Sequence, residues 1–415
     1  MSKKDLPILN SVFSAANNRG NAQMGNLRFL EKALHEHWKL GQNIILCWTP
    51  TDIGIEILVV PHYFLGSFSA SLNDEDTSGS FTEANGRFIR QLISNRRLMA
   101  LREFNAAADQ LKVPKTVIKL PIPLTDDIIV LNKIDEIVIR HSISFVAKRA
   151  VLLIDIVDFS LFTPFEQTSQ LTSLSYSLNS AHNKMLKKNI DINFARTTTG
   201  DGFYIWNRDR SALSTMHLYQ FMLLVIADNA IAKGKSRGNT VPVVRSGFHV
   251  GSHYEFYQAE GLNPSMSSYI VGDVTIELAR MLDMAQAGQI FIGDFIAELP
   301  TSDREGAYMI EVDSKKFVER ATKYLSNLKG IELSGEEIVS IHSYLTGETG
   351  ASAGQILRRF KITDKHGRSR YAFNLRSNIH IKNSKPIILG LQDYYLPKSS
   401  RSRRHSLDPA TTTTT

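Results

Sequence analysis

Two aspartates 46 positions apart each interrupt an apolar run, and this pair constrains the fold more than any other feature of the chain. Asp155 lies in Arg149-Ala-Val-Leu-Leu-Ile-Asp-Ile-Val-Asp-Phe-Ser160, and Asp201 lies in Thr197-Thr-Thr-Gly-Asp-Gly-Phe-Tyr-Ile-Trp206. A carboxylate inside a run of Val, Leu and Ile must be paired, protonated or bound to a cation, because an unpaired buried charge is very costly. Two such carboxylates brought together repel unless a divalent ion lies between them. The pair therefore reads as a metal site on neighbouring strands.

The periods around the pair switch in a readable order. Strand Ala150–Val157, helix Phe165–Lys188, a hairpin of Ile192–Thr199 and Gly202–Trp206, helix Ser211–Lys233, strand Val241–Val250, helix Val274–Met284 and strand Gln289–Ile292 follow one another. This is βαββαβ with a further helix and strand, the pattern of a ferredoxin-like α/β sandwich. Residues 302–354 read as mostly helical, and Gln355–Thr363 with Arg368–Leu375 as a hairpin around Asp364-Lys-His-Gly367.

Upstream, Asn43–Val60 reads as strands around a Thr-Pro-Thr-Asp turn and residues 73–80 as a polar loop. Ala84–Leu111 is expected to be helical, Val113–Leu124 to be an extended connector with three prolines, and Asp126–Val146 to be a helix leading into the strand of Asp155. The expected organisation is an N-terminal α+β extension over 1–142, a domain over 143–376 with a helical insertion at about 302–354, a strand or loop over 377–398, and a disordered tail over 399–415.

The 415 residues, 43% hydrophobic and 21% charged, have the composition of a soluble globular protein. Much of the +7 formal charge lies in the tail Lys398–Arg404, which argues against nucleic acid as a partner and leaves a phosphate-rich substrate open. One cysteine, Cys47, excludes an internal disulfide and suits a reducing compartment. Met-Ser-Lys-Lys-Asp-Leu has no signal-peptide core, and Ile44–Gly66 is broken by Pro50, Asp52, Glu56 and Pro61, so no membrane span and a cytoplasmic location are expected.

Paired carboxylates of this kind suit phosphoryl or nucleotidyl transfer, in which charge on phosphate oxygens must be stabilised. Mg²⁺ matches them, since it takes one or two carboxylates plus substrate phosphates. The loop Asp158–Thr163 leads into a helix whose unbonded N–H groups are expected to receive phosphates. Asp158 itself reads as a residue of that helix start rather than a ligand, and His249 and His253 as structural.

The segments LLIDIVDFS, TTTGDGFYIW, VRSGFHVG and YIVGDVTIELARM, in this order, resemble the catalytic domain of class III nucleotidyl cyclases over roughly residues 143–295, and the hairpin near 355–375 is similar to that family's closing hairpin. The resemblance implies that Asp155 and Asp201, with the carbonyl of Ile156, hold two Mg²⁺ or Mn²⁺ ions per site. It implies that Arg280 stabilises the transition state, and that Phe159, Ser160, Arg245 and Lys365 contact phosphates. It further implies a head-to-tail homodimer, with the aspartates and Arg280 of each site drawn from different subunits.

The chain departs from the usual adenylyl and guanylyl pattern at the base-reading positions. Tyr269 stands where a polar purine reader is usual, Thr197 with Arg196 beside it stands where a Lys or Glu is usual, and Ile276 replaces an assisting asparagine. This pattern looks similar to the pyrimidine cyclases of bacterial anti-phage signalling, whose cyclic CMP or cyclic UMP triggers a separate effector. Arg196, Thr197 and Tyr269 are thus the expected base-binding residues. The alternatives are an adenylyl or guanylyl cyclase and a degenerate, nucleotide-binding homologue.

Overall fold

A computed structural model describes residues 23–70, 80–94, 96–209, 211–260, 265–303, 306–349, 355–363 and 367–396. The expected polar loop before residue 80, Lys365 and the 399–415 tail lie outside these. The chain divides into two compact units, residues 1–149 with 252–273, and residues 150–251 with 274–415. This partition differs from the expected boundary, since residues 252–273 join the N-terminal unit. Among the described residues no helix is long and apolar enough to cross a membrane.

In the first unit, helix α1 over residues 23–38 precedes the hairpin of β1 (Asn43–Thr51) and β2 (Gly54–Pro61), in the register Thr51↔Gly54 around the expected turn. Gly54 is required there, because a Cβ would stand 2.1 Å from the carbonyl oxygen of Ile118. Helices α2 (Phe64–Ala70), α3 (Ser80–Ser94) and α4 (Leu101–Leu111), strand β3 (Lys115–Lys119) and helix α5 (Ile128–Arg140) complete its N-terminal part.

Two expectations fail here. The single helix over 84–111 is broken, because Arg97, 1% exposed, turns its guanidinium onto the carbonyls of Leu92, Ile93 and Ile143 and closes the end of α3. The proline-flanked connector is a strand, because β3 pairs with β2. Helix α5 stops at Arg140, short of the expected end, and β4 (Ile143–Ile156) begins there.

The second unit contains the βαββαβ order expected from the periods. After β4 come α6 (Pro164–Leu186), β5 (Phe194–Thr198), β6 (Gly202–Asn207), α7 (Ser214–Lys235) and β7 (Val244–Glu260). Strand β8 (Ser265–Val271) pairs with the far half of β7 in the first unit, and α8 (Asp273–Asp283) and β9 (Ile290–Gly293) follow. Then come β10 (Ile296–Asp303), β11 (Gly306–Asp313), α9 (Ser314–Leu325), β12 (Glu332–Leu333), β13 (Glu336–Leu345), β14 (Gly347–Thr349), β15 (Gln355–Leu357), β16 (Arg359–Thr363), β17 (Ser369–Ile381) and β18 (Ile387–Leu389).

The sheet runs β12-β13-β17-β9-β7-β4-β6-β5, with β16 and β18 also on β17. The stretch expected to be a helical insertion is therefore mostly strand: α9 is its one α-helix among the described residues, and β13 is a member of the main sheet through its pairing with β17. Alternation over Ile341, Ser343 and Leu345, with a register shift between Ile338 and Ser340, puts Ile338, Ile341 and Leu345 into the core shared with α9. The closing hairpin forms as expected, in the register Thr363↔Ser369.

Strand parity places the site. Ala150, Leu152, Ile154 and Ile156 of β4, Phe203 and Ile205 of β6, and Val244, Phe248 and Val250 of β7 share one core with α6 and α7. The alternate residues face the other way, toward α8.

Candidate active site

Asp155 is on this second face, directly opposite Gly202 in the β4–β6 register. A Cβ at 202 would lie 2.0 Å from the carbonyl oxygen of Ile154 and 2.9 Å from Asp155 Cα, so glycine is what lets the hairpin lie against β4. Asp201 closes that hairpin. Its carbonyl accepts from the Ile156 N–H at 2.9 Å, and Thr199 Oγ1 donates to its carboxylate at 3.0 Å.

The two carboxylates interact. Burial pushes Asp155 above the ordinary carboxylate range, the Arg245 hydrogen bond opposes this, and the neighbouring charge of Asp201 reinforces it. The guanidinium of Arg245 offsets the charge of Asp155 through both its hydrogen bond and its coulombic attraction.

That guanidinium comes from the alternation of β7. Arg245, Gly247, His249 and Gly251 are the successive residues on the α8 face. Added Cβ atoms would lie 2.7 Å from Leu282 Cδ1 at 247 and 3.2 Å from Val274 Cβ at 251, so the glycines admit α8 while the alternate positions carry the polar side chains of Arg245 and His249. Arg245 Nε donates to Asp155 Oδ2 at 2.7 Å, and Nη1 reaches the Ala285 carbonyl at 3.4 Å. The expected phosphate ligand is here the counter-charge of a buried acid.

His249 Nε2 is 2.6 Å from Glu277 Oε2, and Arg370 of the closing hairpin also pairs with Glu277. Burial works against the charged Glu277, but His249 and Arg370 together hold its carboxyl below its usual range. The His249 ring lies over Gly293, where a Cβ would stand 2.1 Å from Nδ1. Sequence reasoning set His249 aside as structural and did not connect it with Glu277 and Arg370. The signal available was the four-residue alternation Arg-x-Gly-x-His-x-Gly.

Tyr204 is on the Asp155 face and donates to the Thr275 carbonyl at 2.9 Å, tying β6 to α8. Burial, with Asp283 and Asp155 nearby, pushes its phenol up to about 12, so it remains a donor. Arg280 ion-pairs with Asp283 at 3.0 Å, its side chain 41% exposed. Among the described residues no hydrogen bond or ion pair joins it to Asp155 or Asp201. Ile276, one turn earlier on the same helical face, is 54% exposed.

Two expectations are corrected. Few N–H groups are left open at the start of helix α6, because Thr163 and Glu166 form a reciprocal capping box and Pro164 has no N–H to give. Phe159 and Ser160 lie instead in a separate turn, Phe159–Leu161, after Asp158 in the left-handed region at φ 56°. Their N–H groups have no acceptor among the described residues, and Asp158 does not cap with its side chain.

Arg196 is not on the aspartate face. It pairs with Ile205 in the register, faces α6 and α7, donates to Ser175 Oγ at 3.2 Å, and lies 5.0 Å from the centroid of Phe203. Burial lowers its pKa. Thr197, opposite Tyr204, does share the face of Asp155. Tyr269 belongs to the first unit, where it stacks on Phe256 at 5.8 Å.

Asp155 and Asp201 fit a hard divalent cation. Their oxygens are its preferred donors, and a cation would offset the second negative charge that Arg245 leaves uncompensated. Among the described residues no group of three or more His, Cys, Asp or Glu side chains is placed to hold a metal. The two acids therefore match an ion that completes its shell with water and substrate oxygens, as Mg²⁺ does.

No protein-family model matches the chain, and no curated protein matches it. Among solved structures it is similar to the adenylyl cyclase CyaB from P. aeruginosa, at 13% identity and TM-score 0.31, over 59% of this chain and 97% of that one. It is also similar to the guanylate cyclase domain of RhGC from Catenaria anguillulae, in complex with GTP, at 12% identity and TM-score 0.31, over 58% and 100%. A third is the dimeric guanylyl cyclase domain of the RhoGC fusion protein from Blastocladiella emersonii, at 16% identity and TM-score 0.28, over 41% and 97%.

Proposed function

We propose that the chain is a class III nucleotidyl cyclase that converts a pyrimidine nucleoside triphosphate into its 3′,5′-cyclic monophosphate and pyrophosphate. The observation that supports this reading is the interaction of the carboxylates of Asp155 and Asp201, with the guanidinium of Arg245 bound to Asp155. The substrate's 3′-oxygen forms a bond to its own α-phosphorus, the bond to the pyrophosphate oxygen breaks, and the hydroxyl proton leaves to solvent. Asp155, Asp201 and the Ile156 carbonyl would hold Mg²⁺ or Mn²⁺, two ions per site, which supply Lewis acidity to the phosphate oxygens. The N–H groups of Phe159 and Ser160 donate to phosphate oxygens, and Arg245 moves its charge from Asp155 toward them once the acids are neutralised.

Arg280 acts on the site of a second copy of the chain. Its exposure beside Ile276, without a bond to either aspartate, supports a homodimer whose sites combine two subunits. The pyrimidine preference, and the role of the product as an anti-phage signal read by a separate effector, rest on the sequence pattern at Tyr269 and Thr197. Purified protein with Mn²⁺ and each of the four NTPs tests the reading. Cyclic CMP or cyclic UMP is the expected product. Cyclisation of ATP or GTP alone would remove the pyrimidine half, and activity surviving Asp155→Ala would remove the site.

Ile276 in place of an assisting asparagine favours a second reading, a homologue that binds nucleotide without cyclising it. Calorimetric NTP binding with no cyclic product from any of the four would establish it.

A further inference from the structure

Glu277 of α8 is reached by donors from two different strands. His249 Nε2 of β7 lies 2.6 Å from its Oε2, and Arg370 Nη1 of β17 pairs with its Oε1. Each carboxylate oxygen thus has its own donor. The Glu277 side chain is 13% exposed and that of Arg370 is 44% exposed, so the tie runs from the interior to the surface. In the sheet β9 separates β7 from β17, and one carboxylate therefore spans three strands. Gly293 of β9 makes this possible, since a Cβ there would collide with the His249 ring.

Where α8 meets Gly247 and Gly251 of β7 the contact is apolar, through Leu278, Leu282 and Val274. Such contact holds a helix to a sheet without fixing its place along its own axis, because the hydrophobic effect is non-directional. Hydrogen bonds to a charged group are short and directional, and Glu277 supplies them. Tyr204 adds a further tie at the Thr275 carbonyl, two residues earlier. Arg280 follows Glu277 by three residues, about 4.5 Å along the axis at ~1.5 Å per residue. Among the described residues its hydrogen bond and ion pair are both to Asp283 of the same helix. The place of its guanidinium is therefore the place of α8.

We infer that Glu277 is a positioning residue for cyclisation: by pinning α8 to β7 and to the closing hairpin, it sets where Arg280 presents its guanidinium. This role rests on the cyclase reading, in which Arg280 serves the site of a second copy. A misplacement of about 1 Å far from the chemistry can lower a rate about 10²-fold. A purely stabilising contact would instead change the amount of folded protein and leave kcat per folded molecule alone.

Glu277→Gln keeps the shape, but an amide has one oxygen, so one of the two donors loses its acceptor. In the full-length protein this variant should lower kcat by about tenfold to 10²-fold, with KM for the NTP within about twofold. Arg370→Ala should lower kcat by about threefold to tenfold, and Arg370→Lys, which keeps the cation, should recover about half of the wild-type kcat. Glu277→Gln mixed with Asp155→Ala should recover about a quarter of wild-type activity, because the Asp155→Ala subunit supplies a well-placed Arg280. Unchanged kcat in Glu277→Gln overturns the inference. So does a mixture that recovers nothing while Arg280→Ala with Asp155→Ala does recover. If Glu277→Gln does not fold by near-ultraviolet circular dichroism, Arg370→Ala decides, and full kcat in that variant overturns the inference. Backbone hydrogen exchange needs no turnover: in Glu277→Gln the amides of α8 and β16 should exchange about tenfold faster together. Unchanged exchange in α8 overturns the positioning role whether or not the protein cyclises an NTP. If wild-type protein cyclises none of the four, the cyclase reading fails and the role in cyclisation falls with it, while exchange still shows whether Glu277 pins α8.

Discussion

Asp155 and Asp228 are buried almost equally, at 8% and 9% exposure, yet they meet different surroundings. Asp228 on α7 receives Lys184 of α6 on both oxygens, at 2.5 and 2.6 Å, and the same ammonium donates to Ser180 at 2.9 Å. One acid meets one base, and the pair braces two helices. Asp155 meets one guanidinium and a second acid, so the cluster keeps a surplus negative charge. Burial does not separate a site from a brace here. Unbalanced charge does, because a brace has no reason to tolerate repulsion that a bound cation would relieve.

Substituting each acid in turn gives opposite results if this contrast holds. Asp155→Ala should lower cyclisation by at least ~10³-fold, the scale expected when a site loses its principal charge stabilisation. Asp155→Asn should leave stability unchanged or slightly raised at neutral pH. The sign follows from the raised pKa of Asp155: its ionised form is a cost to the folded state, present above the folded pKa and relieved as pH falls through it. The gain of Asp155→Asn over the parent should therefore shrink on acidification toward the ordinary carboxylate range, as followed by denaturant melts at several pH values. Asp228→Ala should do the reverse. It strands a partly buried ammonium at a cost of about 2 kcal/mol of stability, while kcat per folded molecule stays within about twofold.

Arg280 sharpens the contrast across a subunit boundary. Arg280→Ala alone should lower kcat by about 10²-fold, as for removal of a transition-state donor. Mixing Arg280→Ala with Asp155→Ala protein should then restore about a quarter of wild-type activity, because half of randomly paired dimers would carry one intact site of two. Failure of the mixture to recover any activity, with dimers confirmed by light scattering, would refute sites shared between subunits. A smaller effect concerns metal and stability. Mn²⁺ at a hundred times its Kd should stabilise the wild type by about 2.7 kcal/mol, leave Asp228→Ala responsive, and give no shift with Asp155→Asn.

How much of this could be read from the residues alone depended on range. The β4 and β6 runs, their acids, α6 to α8 and the closing hairpin were legible, because apolar period and turn residues are local. The capping box of Thr163 and Glu166 was equally local, since Thr-Pro-Phe-Glu carries the motif three residues apart, and it occupies N–H groups that a bare helix start would leave open. The strand β13 was not legible, since its place in the sheet depends on β17, some forty residues away in the chain. The link of His249, Glu277 and Arg370 joins three separate elements. No window of sequence contains it.

Parity separates two of the expected base-binding residues. Arg196 and Thr197 are neighbours in the chain, and either looked able to read a base. Pairing of Arg196 with Ile205 and of Thr197 with Tyr204 sends them to opposite faces, and only Thr197 shares the face of Asp155. Arg196→Ala should thus change kcat/KM and the CTP-to-UTP ratio by less than about twofold, within the small effects expected of a residue engaged at the helix-facing edge of a sheet. Thr197→Val keeps the shape and removes the hydroxyl, and it should shift that ratio by about threefold to tenfold, the worth of one hydrogen bond at a recognition position. A shift with Arg196→Ala and none with Thr197→Val would show that the base is read from the α6 and α7 side of the sheet. The comparison of faces would then fail along with the assignment of the site.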